Sequence, residues 1–170
     1  CASAARFASR AGLAGIEFLA GIPGTLGGAL ALNAGAHGSE TWDRVRKVIT
    51  VDRAGRVRER VPADFQVDYR QVEGPREEWF LAVELDLEAG EPAACQARIR
   101  DLLERRNQSQ PIGQPSCGSV FRNPPGDYAA RLIEAAGLKG ECEGGAQVST
   151  RHANFIINTG GASARDILRL

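Results

Sequence analysis

An α+β fold in two lobes is what this sequence predicts, and three observations carry it. Two alternating apolar runs, 45–51 and 57–61, flank the turn residues Asp52-Arg53-Ala54-Gly55, the pattern of a β-hairpin. Residues 93–106 repeat apolar positions at helical spacing, with Ile99, Leu102 and Leu103 on one face. A polar stretch, 107–114, containing Pro111 and Gly113, then separates this half from a second mixture of helices and strands.

Taken in order, residues 2–13 read as a helix with apolar positions at Ala5, Phe7, Ala8 and Leu13, stopped by Gly15. A glycine-rich segment follows, and after the 45–61 hairpin a short polar stretch ends at Tyr69-Arg70. Residues 79–87 alternate and are rich enough in β-formers for a core strand, until Gly90-Glu91-Pro92 breaks the pattern before the 93–106 helix. Beyond the linker the expectation is a short strand at 119–121 and a turn at Asn123-Pro124-Pro125-Gly126. Asp127 is expected to cap a helix at 128–136. Gly137, Gly140, Gly144 and Gly145 make a loop, 155–158 is a strand, and Ser163 caps a last helix.

The composition is that of an ordinary globular protein, with 43% hydrophobic and 25% charged residues in 170. Lys plus Arg equals Asp plus Glu, at 21 each. The chain therefore lacks the basic excess of a nucleic-acid binder or a membrane-surface helix. Cys1, Cys95, Cys117 and Cys142 form no C-x-x-C pair, so neither a zinc site nor a disulfide framework is expected; reduced thiols in a cytoplasmic protein are. The uncharged stretch 18–36 is long enough to resemble a membrane span. Its Pro23 and five glycines argue instead for a buried loop and a short helix. The absence of methionine and the stop at Arg169-Leu170, inside an apparent helix, suggest a piece of a longer protein.

Four segments can carry chemistry. Gly21-Ile22-Pro23-Gly24-Thr25-Leu26-Gly27-Gly28, with Asn33-Ala34-Gly35-Ala36-His37-Gly38, offers backbone N–H groups to a pyrophosphate or a flavin edge, or packs tightly for its own sake. It is neither G-x-G-x-x-G nor a Walker loop. Pro115-Ser116-Cys117-Gly118-Ser119-Val120-Phe121-Arg122-Asn123-Pro124 holds hydroxyls and a thiol around a glycine, either as a proton-delivering site or as a plain turn. Tyr69-Arg70 presents a guanidinium suited to a carboxylate or phosphate, or an ordinary surface arginine. Arg151 and His152, after Gly144-Gly145, can reach a phosphate or serve only the structure.

Together and in this order, these strings resemble the UDP-N-acetylenolpyruvoylglucosamine reductase family. L-I-E-A-A-G-L-K-G (132–140), G-G-A-Q-V-S-T-R-H-A (144–153) and F-I-I-N (155–158) extend the resemblance over nearly the whole chain. It implies that 1–106 is the second lobe of a vanillyl-alcohol-oxidase-type FAD-binding domain, and that 107–170 begins an α+β substrate-binding domain. A first flavin lobe before Cys1 and a catalytic glutamate after Leu170 would complete the family pattern.

The implied chemistry is reduction of UDP-N-acetylglucosamine enolpyruvate to UDP-N-acetylmuramate for peptidoglycan, with FAD as cofactor and NADPH as cosubstrate, in a cytoplasmic monomer. Ser119 matches the family's proton donor, and Arg70 would stabilise charge at the substrate carboxylate. Gly21, Ile22, Pro23, Gly24, Thr25, Gly27, Gly28, Asn33, Gly35, Ala36 and Tyr69 would line the flavin. Asn123, Arg151 and His152 would contact the substrate, and no metal is implied. The chain departs from the family where Gln71-Val72-Glu73-Gly74 follows Tyr-Arg in place of x-Ser-x-Phe, and Cys117 is a rival acid to Ser119. Another oxidase of the same flavin fold, and a binding module without catalysis, are the competing classes.

Overall fold

The computed structural model describes residues Cys1–Leu170 and is α+β. It divides into two compact units, Cys1–Glu104 and Arg105–Leu170.

In the first unit, α1 (Ala2–Arg10) buries Ala5, Ala8 and Ser9. These small side chains, spaced three and four apart, let the helix lie close to a 3₁₀ turn at Glu17–Gly21. The helix is shorter than the expected 2–13. Gly12 has φ +71° and ends it, and Leu13 enters strand β1 (Leu13–Ala14). Phe7, expected on the buried face, is 69% exposed, and Ser9 takes the inner position. A core of Phe18, Leu19, Ile99 and Leu102 forms beneath α1.

Residues 18–36 hold the rest of that 3₁₀ turn, helix α2 (Leu26–Ala31) and strand β2 (Gly35–Ala36), and β2 pairs with β3 (Ser39–Glu40). No helix is long and apolar enough to cross a membrane. After the 3₁₀ turn Thr41–Arg44, strand β4 (Val45–Asp52) pairs antiparallel with β5 (Val57–Arg60), the hairpin expected from the sequence. Past the 3₁₀ turn Pro62–Asp64 lies a second hairpin that the sequence did not disclose, β6 (Gln66–Asp68) and β7 (Gln71–Glu73). Strand β8 (Glu78–Leu85) pairs along β4 and gives the order β5-β4-β8. Strand β9 (Glu88–Ala89) closes on β1.

A second core lies under this sheet, where Leu30, Trp42, Val45 and Val48 pack with Phe65, Phe80 and Val83. Trp42, Phe65 and Phe80 form an aromatic triad with centroids 4.7, 6.2 and 5.8 Å apart, and Leu85 packs against both cores. Helix α3 (Pro92–Ser109) overruns the expected 93–106, because no helix breaker occurs before Pro111.

The second unit is built on a four-stranded antiparallel sheet. Its strands are β10 (Ser116–Ser119), β11 (Cys142–Glu143), β12 (Ala146–Val148) and β13 (Phe155–Asn158), in the order β10-β13-β12-β11. Strand β10 lies earlier than the expected 119–121. Gly118 at φ +87° breaks its register, and Val120 and Phe121 leave the ladder. Helix α4 (Ala129–Ala135) starts after Tyr128. Asp127 Oδ1 accepts from Tyr128 N at 2.7 Å, and Asn123 Oδ1 accepts from Ala129 N at 3.1 Å, so two side chains cover the opening amides. Helix α5 (Ala164–Arg169) carries the expected Ser163 cap, whose hydroxyl accepts from Asp166 N at 3.2 Å.

Candidate functional site

In the first unit the glycine-rich segment resolves into parts with different tasks. Gly21 ends a 3₁₀ turn, and Ile22 packs beside Leu26 on the first core. Pro23, Gly24 and Thr25 are exposed. Gly24 has φ +97° with open space above it, a conformation that L side chains rarely adopt. Thr25 caps α2 by accepting from Gly28 N at 3.1 Å. The first-turn amides at Leu26 and Gly27 have no acceptor within the helix. The start of α2 thus leaves backbone donors at an exposed turn.

Asn33 has another task. It is 1% exposed, with φ +42°. Its Nδ2 donates to Glu40 Oε2 at 2.6 Å and to the Asp68 carbonyl at 3.2 Å, while Oδ1 accepts from Trp42 N at 3.2 Å. The carboxamide is thus committed to tying three segments together. Nearby, the Trp42 indole N–H donates to Leu30 O in the last turn of α2 at 2.8 Å, and the Thr41 hydroxyl donates to Ala34 O beyond the helix at 2.6 Å. Gly35 is required by close packing, since a Cβ there would lie 2.7 Å from Ser39 O. Ala36 pairs with Ser39 across the His37-Gly38 turn, where φ is +57° and +81°.

Asn33 and Tyr69 line one cleft of about 610 Å³, together with Glu40, Trp42, Asp43, Pro62, Phe65, Val67 and Asp68. Residues 21–28 are not on this lining. Its floor is aromatic and aliphatic, and three carboxylates stand around it. Like charges repel, so this cleft disfavours a phosphate.

Tyr69 and Arg70 are the two turn residues of the β6–β7 hairpin, with Asp68 paired to Gln71. Tyr69 is 42% exposed, and the Arg70 guanidinium lies 5.8 Å from its ring centroid. Arg70 has φ +52°. The left-handed region costs a residue with a Cβ about 1–2 kcal/mol.

In the second unit, Ser119 is exposed and pairs with Phe155, just past the Gly118 bulge; Cys117 is exposed on the same strand. Asn123 Oδ1 helps open α4 by accepting from Ala129 N. Arg151 Nη1 donates to the carbonyls of Asn107 and Gln110 at 3.0 and 3.3 Å, and so covers the end of α3. His152 stands edge-on to Phe155, with centroids 4.7 Å apart, and its Nδ1 accepts from Asn154 N at 3.3 Å. Burial pushes its pKa down and favours the neutral ring that this acceptance requires. Gly144 and Gly145 serve packing, because a Cβ on Gly144 would lie 2.6 Å from the Asp166 carboxylate carbon and one on Gly145 2.6 Å from Ala162 N. The Asp166 carboxylate also accepts from Gly145 N at 3.5 Å. Sequence reasoning missed Phe65, Trp42 and Asp68 on the cleft, and it missed Asn154, whose burial no local pattern announces.

Two family models match in chain order. Residues 2–60 match an FAD binding domain, and residues 110–170 match the C-terminal domain of UDP-N-acetylenolpyruvoylglucosamine reductase. The UDP-N-acetylenolpyruvoylglucosamine reductase of Alkalilimnicola ehrlichii is 68% identical over 167 residues, 98% of this chain and 56% of that protein. That of Methylococcus capsulatus is 62% identical, over 98% of this chain and 55% of that protein. The chain thus spans about half the length of the relatives it matches. The crystal structure of UDP-N-acetylenolpyruvylglucosamine reductase from Thermus caldophilus superposes with a TM-score of 0.88 at 36% identity, covering 98% of this chain and 62% of that one. By these matches, which extend over nearly the whole chain, this chain belongs to the UDP-N-acetylenolpyruvoylglucosamine reductase family.

Proposed function

We propose that, within a longer protein, this chain serves the NADPH-dependent reduction of UDP-N-acetylglucosamine enolpyruvate to UDP-N-acetylmuramate in peptidoglycan synthesis. The observation that carries this reading is Arg70, a charged, exposed residue in the left-handed region at a hairpin tip. Non-glycine residues held in that region cluster at functional sites.

FAD, when bound, supplies the hydride for the terminal carbon of the enolpyruvyl double bond. The 24–28 turn would hold its diphosphate through the amides of Gly24, Leu26 and Gly27, and Tyr69 would offer an aromatic face. Asn33 and Gly35 shape the surrounding loops. Reduction of the double bond builds negative charge at the substrate carboxylate, where the planar pair of donors on Arg70 stabilises it. The α-carbon then needs a proton, which the exposed Ser119 hydroxyl delivers. Cys117 lies on the other side of Gly118, whose φ of +87° turns the backbone between the two side chains. Asn123 orders the segment after Ser119 by opening α4. Arg151 and His152 act on the substrate region through the backbone they hold.

A full-length protein containing these residues, given NADPH and the enolpyruvyl sugar in deuterated water, should yield a product with one solvent deuterium at the α-carbon per NADPH consumed. NADPH oxidation that leaves the sugar unchanged would favour an oxidase of the same flavin fold instead.

A further inference from the structure

Asn154 is 4% exposed, yet its carboxamide is spent on an exposed segment. Its Nδ2 donates to the Phe121 carbonyl at 2.8 Å, and its Oδ1 accepts from Phe121 N at 2.9 Å. Its own carbonyl accepts from Val120 N at 2.9 Å. Three hydrogen bonds thus fall on the two residues that follow Ser119, although the Phe121 side chain is 59% exposed.

On the other side of Ser119 the ladder is interrupted. The β10–β13 register shifts between Ser116 and Ser119, and Gly118 lies at φ +87° with open space above it. A bulge re-aims the residue beside it, and the aim must be fixed from elsewhere. The fixed side here is Asn154. Its amide N–H in turn donates to His152 Nδ1, and its neighbour Phe155 is the strand partner of Ser119. A carboxamide that pairs with both polar groups of one residue holds that backbone in orientation as well as in place.

We propose that Asn154 is a positioning residue for proton delivery: by clamping Val120 and Phe121 it sets the direction of the Ser119 hydroxyl, without touching substrate itself. The inference rests on the reading of Ser119 as the proton donor.

The test uses full-length protein with Asn154→Ala, Asn154→Asp, Ser119→Ala and the double variant Asn154→Ala/Ser119→Ala. Flavin reduction by NADPH and flavin reoxidation by the enolpyruvyl sugar are timed separately in single turnovers. Asn154→Ala should slow reoxidation about 10–100-fold, the scale on which misplaced catalytic groups act, and leave reduction within about twofold. Asn154→Asp keeps the acceptor for Phe121 N, loses the donor, and should fall between; it carries the test if the alanine variant does not fold. The double variant should be no slower than Ser119→Ala, since a positioning residue has nothing left to position.

Equal losses in both half-reactions, or multiplying losses in the double variant, would overturn the inference. Slow Ser119→Ala with fast Asn154→Ala and fast Asn154→Asp would overturn it alone. Fast reoxidation in Ser119→Ala would overturn the proton-donor reading and the inference with it.

Discussion

Arg70 sits in a conformation that glycine would adopt without strain, and that fact separates stability from function at a single residue. Arg70→Gly should leave the protein as stable or stabilise it by up to about 1 kcal/mol, read from urea unfolding, because relief of the left-handed strain offsets the extra entropy of the unfolded chain. The same variant should slow flavin reoxidation by the enolpyruvyl sugar, since the cation is gone. Loss of stability with unchanged reoxidation would make Arg70 an ordinary turn residue. The sequence named Tyr69-Arg70 as a pair suited to an anion, but it contains nothing that signals a positive φ at an arginine. Asn33 shows the opposite limit. Its position in a glycine-rich segment suggested a ligand contact, and only the geometry reveals a carboxamide committed to Glu40, Asp68 and Trp42.

At the scale of elements, periodicity disclosed what local patterns can disclose. The β4–β5 hairpin, β8, α3 and α5 were legible because alternation, helical spacing and a Ser163 cap are local signals. The β6–β7 hairpin was not, because each strand is three residues long and its turn holds no glycine, proline or asparagine. Its stability comes from tertiary packing, in which Gly74 admits the Phe65 ring. A Cβ on Gly74 would lie 2.3 Å from Phe65 Cδ1. Gly74→Ala should therefore cost about 1–3 kcal/mol in denaturant unfolding, as overpacking does, and should disturb the aromatic floor of the cleft. Wild-type stability in that variant would show that Phe65 moves aside freely. At α2, Thr25→Ala removes the side-chain acceptor for Gly28 N and should cost about 1 kcal/mol. Thr25→Ser should restore most of it, and equal stability of all three proteins would remove the cap from the account.

Across the whole molecule, charge pairing around the central sheet sets the response to acid. Glu78 accepts from Arg60 at 2.6 and 3.1 Å and from the Thr50 hydroxyl at 2.6 Å, which holds its carboxyl at about 2. Asp52 is also held at about 2, by the backbone N–H of Arg56 and then by the Arg58 guanidinium. Both folded values lie below the unfolded ones of 4.5 and 3.8. The unfolded chain therefore binds more protons in this range. The stabilisation is complete above pH 4.5 and is lost as pH falls toward 2. Thermal unfolding measured between these limits should show the melting temperature falling with pH, with a shallower fall in Glu78→Gln; identical slopes would exclude Glu78 as a contributor.

The α+β class was legible because helical spacing and alternating runs recur along the whole chain. The strand position of Ser119 was not, because the register breaks at Gly118 and its strand partner Phe155 is distant in sequence. The proton-donor assignment of Ser119 is tested most directly by stopped-flow spectroscopy of the flavin in full-length Ser119→Ala. Reduction by NADPH at the wild-type rate, followed by reoxidation by the enolpyruvyl sugar slowed at least about 100-fold, is the predicted result. Reoxidation at the wild-type rate would contradict it.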